Sequence, residues 1–132
     1  MLNCGLLFHC SIAQGGIFMA FLFDKLEVYQ KAVDLADRIT TLTEKFPKGT
    51  YYLSEQLNRA VLSIPLNIAE GNGRFHCKDR QNFFRIVRGS AFECVPILEL
   101  CRRKELVNPR QLDYFLKQLD EISKMLTGLI GK

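Results

Sequence analysis

The sequence predicts an all-α protein, an antiparallel up-down-up-down four-helix bundle. Three observations lead to this fold class. Apolar residues recur at spacings of three and four along most of the chain. No long alternating run and no Asn-Gly or Asp-Gly turn indicates strands or hairpins. Four helical segments follow one another with short connections, which makes neighbouring helices antiparallel. The 132 residues, 48% hydrophobic and 24% charged, are enough for one globular domain.

The first 23 residues carry no charged side chain. A signal peptide would begin with basic residues, and glycines and polar residues dilute this stretch below a good membrane span. We therefore expect natural translation to begin at Met19. Residues 1–18 would then be a non-native or flexible extension, and residues 19–132 the bundle domain. A weak membrane anchor is the alternative.

The first helix is predicted to begin at a capping box formed by Asp24 and Glu27. It should end near Phe46, because Pro47 and Gly49 follow. Its apolar stripe is predicted to be Leu26, Tyr29, Val33, Ala36 and Ile39, with Leu35 and Leu42 beside it.

The second helix has Ser54 as its predicted N-cap, after Tyr51, Tyr52 and Leu53 return the chain to the core. It should end at Gly71-Asn72-Gly73. Pro65 lies inside it, and an interior proline costs about 3 kcal/mol in a free helix and predicts a kink.

A polar stripe runs along this second helix. Ser63 and Asn67 flank the proline and are predicted to bond the backbone groups that it frees. The alternative is a shared polar site in a groove or ring lumen. The stripe consists of Gln56, Ser63, Asn67 and Glu70.

The third helix is predicted to start between Cys77 and Asp79 and to run to about Lys104. Its apolar face should be Phe83, Phe84, Val87, Ala91, Cys94, Leu98 and Cys101. A bend is expected near Phe92–Pro96, because Pro96 lies inside the helix.

The fourth helix should open with an N-cap, an N1 proline and a capping-box partner, and carry an apolar stripe at helical spacing. These residues are Asn108, Pro109 and Gln111, then Leu112, Phe115 (or Tyr114), Leu119, Ile122, Met125 and Leu129.

The net charge of +4 comes entirely from the middle of the chain, where residues 54–104 carry nine Lys or Arg against five Asp or Glu. A local basic excess suits RNA, an acidic protein or a membrane surface, and a solvated helix face is the plainer interpretation. On the third helix one face combines cations with an aromatic side chain, a pattern suited to phosphate contacts and base stacking. The alternative is that Phe92 packs into a neighbouring subunit and the arginines pair with its acids. The candidate nucleic-acid-binding residues are Arg74, Lys78, Arg85, Arg88 and Phe92.

No pattern in the sequence points to catalysis. Glu70 could be a general base, but no second carboxylate accompanies it, and pairing with Arg74 is the simpler expectation. Arg59 is expected to pair with Glu55. No phosphate loop, dinucleotide motif or zinc cluster occurs, so we expect no cofactor, no metal and no enzyme activity. Five cysteines without a CxxC pair fit reduced thiols in the cytoplasm, namely Cys4, Cys10, Cys77, Cys94 and Cys101.

Four segments resemble a known family: FDKLEVYQKA from Phe23, the pair Phe46-Pro47, QLNRAVLSIPLNIAEGNGR from Gln56, and FFRIVRGSAFE from Phe83. They are similar to the four-helix-bundle proteins encoded in intervening sequences of bacterial 23S rRNA genes. A related bundle is the accessory protein of diversity-generating retroelements, which partners a reverse transcriptase and RNA. Pro96 and the uncharged leader depart from the family pattern, and Pro96 puts the straightness of the third helix in doubt.

The resemblance implies a ring-like homo-oligomer, commonly a pentamer, with a basic surface that is expected to bind nucleic acid. The leading hypothesis is therefore a non-enzymatic oligomeric scaffold that binds RNA or a ribonucleoprotein through the third helix. RNA or a reverse transcriptase would be the partner, with no membrane and no small-molecule substrate. The alternative is a protein–protein adaptor whose basic stripe is an oligomer interface.

Overall fold

The computed structural model describes residues 26–131, which form four α-helices and no strand. The helices are α1 (Glu27–Thr43), α2 (Tyr51–Asn72), α3 (Cys77–Arg103) and α4 (Pro109–Ile130). Each packs against the next, and α1 also packs against α4, so the four close into a bundle. The all-α four-helix fold is confirmed. The expectations about residues 1–18 and Met19 lie outside the described residues.

The core is one continuous cluster of buried side chains, to which every helix contributes one face. Burying a large apolar side chain contributes about 1.5–3 kcal/mol to stability, so the buried faces of the four helices dominate the stability of the bundle. The largest fully buried side chains include Leu35 and Ile39 of α1, Leu57, Ile64 and Ile68 of α2, Phe84 and Leu98 of α3, and Ile122 and Leu126 of α4.

The apolar face of α1 is rotated from the predicted one. Val33 is 42% exposed, whereas Val28 and Ala32 are buried. Ala32 and Ala36 are buried on the same face, and packing against the other helices selects which apolar side of α1 faces inward. The helix ends at Thr43, three residues before Phe46.

The predicted capping box at the start of α1 is not what the described residues show. The N-cap is Leu26, whose side chain caps nothing, so Glu27 is the first helical residue rather than the third. Asp24 itself lies outside the described residues.

α2 begins at Tyr51 with Thr50 as its N-cap, four residues before the predicted N-cap Ser54. Gly49 has a positive φ of 95°, and the Thr50 hydroxyl donates to the Pro47 carbonyl at 2.6 Å. The turn between α1 and α2 therefore ends before Tyr51. The Ser54 amide already donates to the Thr50 carbonyl at 3.2 Å. Tyr51 is 71% exposed, and Tyr52 is exposed as well, so of the three residues expected to reach the core only Leu53 does so.

Pro65 and Pro96 both lie inside helices that continue past them. The Asn67 side-chain amide donates to the Ser63 carbonyl at 2.8 Å and to the Ser63 hydroxyl at 3.0 Å. Asn67 thus bonds a backbone carbonyl beside Pro65, but that carbonyl belongs to Ser63. The group that the proline frees is the Val61 carbonyl, four residues before it, so the predicted bond to a freed group is not the one observed. The kinks at Pro65 and Pro96 stay predictions.

The turn into α4 follows the sequence prediction closely. The Asn108 side chain accepts from the Gln111 amide at 2.7 Å, and the Gln111 side chain accepts from the Asn108 amide at 2.9 Å. Pro109 takes the first helical position, and Glu105 in the preceding turn has a φ of 61°. α4 then buries Phe115, Leu119, Ile122, Ser123 and Leu126, close to the predicted stripe.

α2 and α3 lie close together at Gly71. A Cβ atom built on Gly71 would lie 2.7 Å from the Cβ of Phe83, closer than such atoms come in real structures. Gly71 is therefore required by packing against α3, in addition to standing at the end of α2.

Candidate nucleic-acid interface

The candidate residues on α3 lie on the side facing away from the core. The inner side of this helix buries Phe84, Val87, Ala91, Cys94, Leu98 and Cys101. On the outer side Lys78 and Arg85 are exposed, Arg88 is half-buried, and Phe92 is 61% exposed. Steps of seven, three and four residues from Lys78 to Phe92 keep these side chains on one face. We call them, together with Arg74, the α3 basic surface.

Among the described residues, the two arginines of this surface on α3 are bonded only to neutral groups. Arg85 donates to the Asn82 side-chain oxygen at 3.2 Å, and Arg88 donates to the Thr127 hydroxyl of α4 at 3.4 Å. Within residues 26–131, neither these two arginines nor Lys78 takes part in an ion pair. Their positive charges are left for water or for a partner.

The outer face of α4 is arranged in the opposite way. Lys117 pairs with Asp113 at 3.3 Å, and Lys124 pairs with Asp120 at 2.8 Å, both at a spacing of four residues. Such pairs neutralise a helix face and, because they are exposed to water, contribute little to stability. The pairing also raises the pKa of Lys124, chiefly through its hydrogen bond to Asp120. α4 therefore has the charge pattern of a solvated face, and α3 does not.

Arg74 differs from the α3 cations because its charge is already compensated. It donates to Glu70 at 2.8 Å, which confirms the predicted pair, and its guanidinium lies 4.8 Å from the centre of the Phe83 ring. Beside it Phe75 is 81% exposed, the largest exposed fraction among the exposed large hydrophobic side chains. Sequence reasoning missed Phe75, although an aromatic residue in the short loop after Gly73 was a visible signal.

Arg59 does not pair with Glu55, contrary to the prediction. It donates to Gln56 at 2.7 Å and crosses to Glu93 of α3 at 3.1 Å. Glu55 instead accepts from the Tyr51 hydroxyl at 3.3 Å. The antiparallel register places Glu93 within reach of Arg59, and this ion pair joins the outer edges of two helices.

The polar stripe on α2 divides into two parts. Its middle faces α3, because the Ser63 and Ser90 hydroxyls lie 2.8 Å apart and Asn67 bonds Ser63. Its ends, Gln56 and Glu70, are exposed and each is bonded to an arginine of the same helix or the following loop. Every member thus has a protein partner, in accord with the structural interpretation of the stripe.

Three further apolar side chains lie on the outer faces of α2 and α3. Leu62 is 44% exposed, Leu66 67% and Ile86 50%. Since Ser63 lies opposite Ser90 and Arg59 opposite Glu93, the register brings Leu66 and Ile86 to the same level of the bundle. Leu66 and Ile86 were not singled out from the sequence, although both lie off the buried stripes of their helices.

The described cysteines are free thiols, and two of them are fully buried. Cys94 and Cys101 lie in the core, and Cys77 is partly exposed. Burial raises the pKa of Cys94 to about 12 and that of Cys101 in the same direction. Cys4 and Cys10 lie outside the described residues.

Metal-binding clusters and membrane-spanning helices are both absent from residues 26–131. This part of the chain contains no cluster of three or more side chains suited to hold a metal ion. None of its helices is both long enough and apolar enough to cross a membrane.

Comparison with known proteins supplies the family. No curated protein sequence matches the chain significantly. A solved structure from Bacteroides thetaiotaomicron, described as a protein of unknown function from the S23 ribosomal protein family, aligns with a TM-score of 0.70 at 27% identity. The alignment covers 80% of this chain and 99% of that one. Residues 24–128 match the family described as 23S rRNA-intervening sequence protein. The chain belongs to the 23S rRNA-intervening sequence protein family.

Proposed function

We propose that this protein is a non-enzymatic, oligomeric helical scaffold that binds RNA or a ribonucleoprotein through the α3 basic surface. The observation that carries the proposal is the set of cations without ion pairs, Lys78, Arg85 and Arg88, on the same helix face as the exposed ring of Phe92. Arginine and lysine side chains that are not neutralised by carboxylates are free to neutralise phosphates.

An exposed aromatic ring among such cations favours single-stranded or looped RNA. Unstacked bases can lie on Phe92 or Phe75, and stacking on an aromatic side chain contributes about 1–3 kcal/mol per base. The family name and that of the Bacteroides protein both refer to ribosomal components, which supports ribosomal RNA as the partner class.

Charge reversal on the two helix faces tests the proposal. Arg85→Glu/Arg88→Glu changes the α3 basic surface, and Lys117→Glu/Lys124→Glu makes the same change in net charge on α4. Binding of a single-stranded RNA from a 23S rRNA intervening sequence would be titrated at several salt concentrations. We expect the α3 variant to lose about tenfold or more in affinity and the α4 variant to stay within about threefold of the native protein.

The salt dependence adds a second readout. Each lost phosphate contact should make the slope of log K against log salt less negative by about 0.7 for single-stranded RNA. Equal losses in both variants, or binding that does not depend on salt, would contradict a role for the α3 basic surface. Circular dichroism of both variants checks that the helices remain folded.

A second candidate function is a protein–protein adaptor in which the same face of the bundle joins subunits. The exposed apolar side chains Leu66, Ile86 and Phe92 favour it, because exposed apolar surface beside polar residues is typical of interaction sites. A closed ring, with a pentamer as the expected size, would bury them between subunits.

Sedimentation analysis of the same variants separates the two functions. If Arg85→Glu/Arg88→Glu leaves the assembly intact and abolishes RNA binding, the scaffold function stands. If it dissociates the assembly, the basic face is an oligomer interface and the adaptor function replaces it.

A further inference from the structure

A second cationic site lies at the opposite end of the bundle from Arg74, between the end of α1 and the start of α4. A cavity of about 520 Å³ opens there, within the size range of small-molecule sites. The α3 basic surface does not contribute to it.

The charges around this cavity are predominantly positive. Arg38, Lys45 and Arg110 line it, against a single lining carboxylate, Asp37. Asp34 holds Arg38 at 3.0 Å, whereas Lys45 and Arg110 are exposed and form no ion pair within the described part of the chain. The cavity therefore favours an anion, with two exposed cations available to contact it.

The remaining lining supplies flat and apolar surface. Tyr114, Leu42 and the buried Phe115 form part of the wall. The Arg38 guanidinium lies 5.3 Å from the centre of the Tyr114 ring and is also bonded to Asp34, so two neighbours hold this planar cation in place. A planar arginine held on an aromatic ring is a stacking platform for a nucleobase.

Gln111 adds a polar group of defined orientation. Its side-chain oxygen is committed to the Asn108 amide at 2.9 Å in the capping box. The NH₂ group of the same side chain is thereby held in place, and it can donate to a base or sugar oxygen.

We propose that this cavity binds a nucleotide, with the phosphate between Lys45 and Arg110 and the base against the Arg38–Tyr114 pair. An inorganic anion would leave the apolar wall unused, and a neutral ring would leave the two cations unused. This site goes beyond the proposed RNA-binding function and does not depend on the α3 basic surface.

Titration followed by amide NMR tests the site, with AMP, adenosine and inorganic phosphate as separate probes. We expect AMP to give saturable shifts in residues 41–45 and 110–115, and the two fragments to bind about tenfold or more weakly. Lys45→Gln/Arg110→Gln should weaken AMP binding by about tenfold or more, because charge-assisted bonds to the phosphate are lost. Lys48→Gln is the control for loss of a positive charge outside the site, since Lys48 lines a neighbouring cavity instead, and it should stay within about twofold of the native affinity.

The outcomes are decisive in both directions. Inorganic phosphate that binds as tightly as AMP, or no saturable shift in these residues, would overturn the nucleotide site. A 5′-phosphorylated RNA that competes with AMP would identify the end of an RNA strand as the source of the nucleotide, and a failure to compete would identify a free nucleotide. Arg85→Glu/Arg88→Glu should leave AMP binding unchanged, so that the failure of either proposed site can be recognised separately.

Discussion

The inner and outer faces of α3 differ in burial and in the pairing of their charges, although they belong to one helix. On the inner face every apolar side chain from Phe84 to Cys101 is at most 2% exposed. On the outer face Phe92 and Ile86 are at least half exposed, and Lys78 and Arg85 lack carboxylate partners in the described chain. On one side α3 thus packs into the core, and on the other side it contacts the rest of the bundle only through side-chain bonds such as that of Arg88 with Thr127. Changes on the inner face should therefore alter stability strongly, and changes on the outer face should not.

The largest expected effect on stability is an alkaline loss centred on Cys94. Its thiol has an ordinary pKa of 9.0, and burial raises this to about 12 in the folded chain. Between these values the unfolded chain releases a proton that the folded chain keeps, so stability falls as pH rises, by about 1.4 kcal/mol per unit. Urea unfolding at pH 7.5 and 10.5 should show a smaller alkaline loss for Cys94→Ala than for the native protein. The same loss in both would contradict the prediction, and Cys77→Ala is the control.

Gly71→Ala should be the next largest change, because its new methyl group would meet Phe83 at 2.7 Å. Overpacking of this kind costs about 1–3 kcal/mol. The midpoint of chemical denaturation measures it. An unchanged midpoint would mean that α2 and α3 can separate slightly without cost.

Gly89→Ala, on the outer face of α3, should change stability in the opposite direction. Nothing lies within 4 Å of a Cβ built at Gly89, so alanine keeps its helix preference without a clash. We expect a gain of about 0.5–1 kcal/mol in the same denaturation experiment. A loss of stability, or of oligomer, would show that another subunit already packs on this face.

The smallest effect is expected on α4, whose outer face is already neutralised. Lys117→Gln and Lys124→Gln each remove one exposed ion pair and should lower the midpoint of chemical denaturation only slightly, with the loss decreasing as salt is added. A loss for either one as large as that of Gly71→Ala would mean that this face is more than a solvated surface.

Sequence reasoning succeeded here where the interacting residues are neighbours along the chain. The capping box of Asn108 and Gln111 and the pair of Glu70 and Arg74 both depend on spacings of three or four residues. It failed for Arg59, because Glu93 lies 34 residues away and is brought near only by the register of two helices. The buried face of α1 was missed for a related reason, since packing against other helices selects among several apolar residues.

The candidate site was predictable only in part. Helical spacing placed Lys78, Arg85 and Phe92 on one face, and all three are exposed. Whether a cation is already paired depends on side chains from other elements, such as Thr127 of α4 for Arg88. The cavity beside Lys45 and Arg110 could not be anticipated at all, because it forms between the two helices that are furthest apart in sequence.

The contacts between α2 and α3 also bear on the entropy of any binding event. Arg59 with Glu93, Ser63 with Ser90, and Gly71 against Phe83 all require one register. If α2 slid along α3 by one helical turn, about 5.4 Å, all three contacts would break together. The two helices are therefore held in one register as a single unit. The distances between its exposed groups are then set before a partner arrives. Ordering the α2–α3 backbone therefore adds little to the cost of association, and selectivity depends on whether the partner matches the fixed spacing.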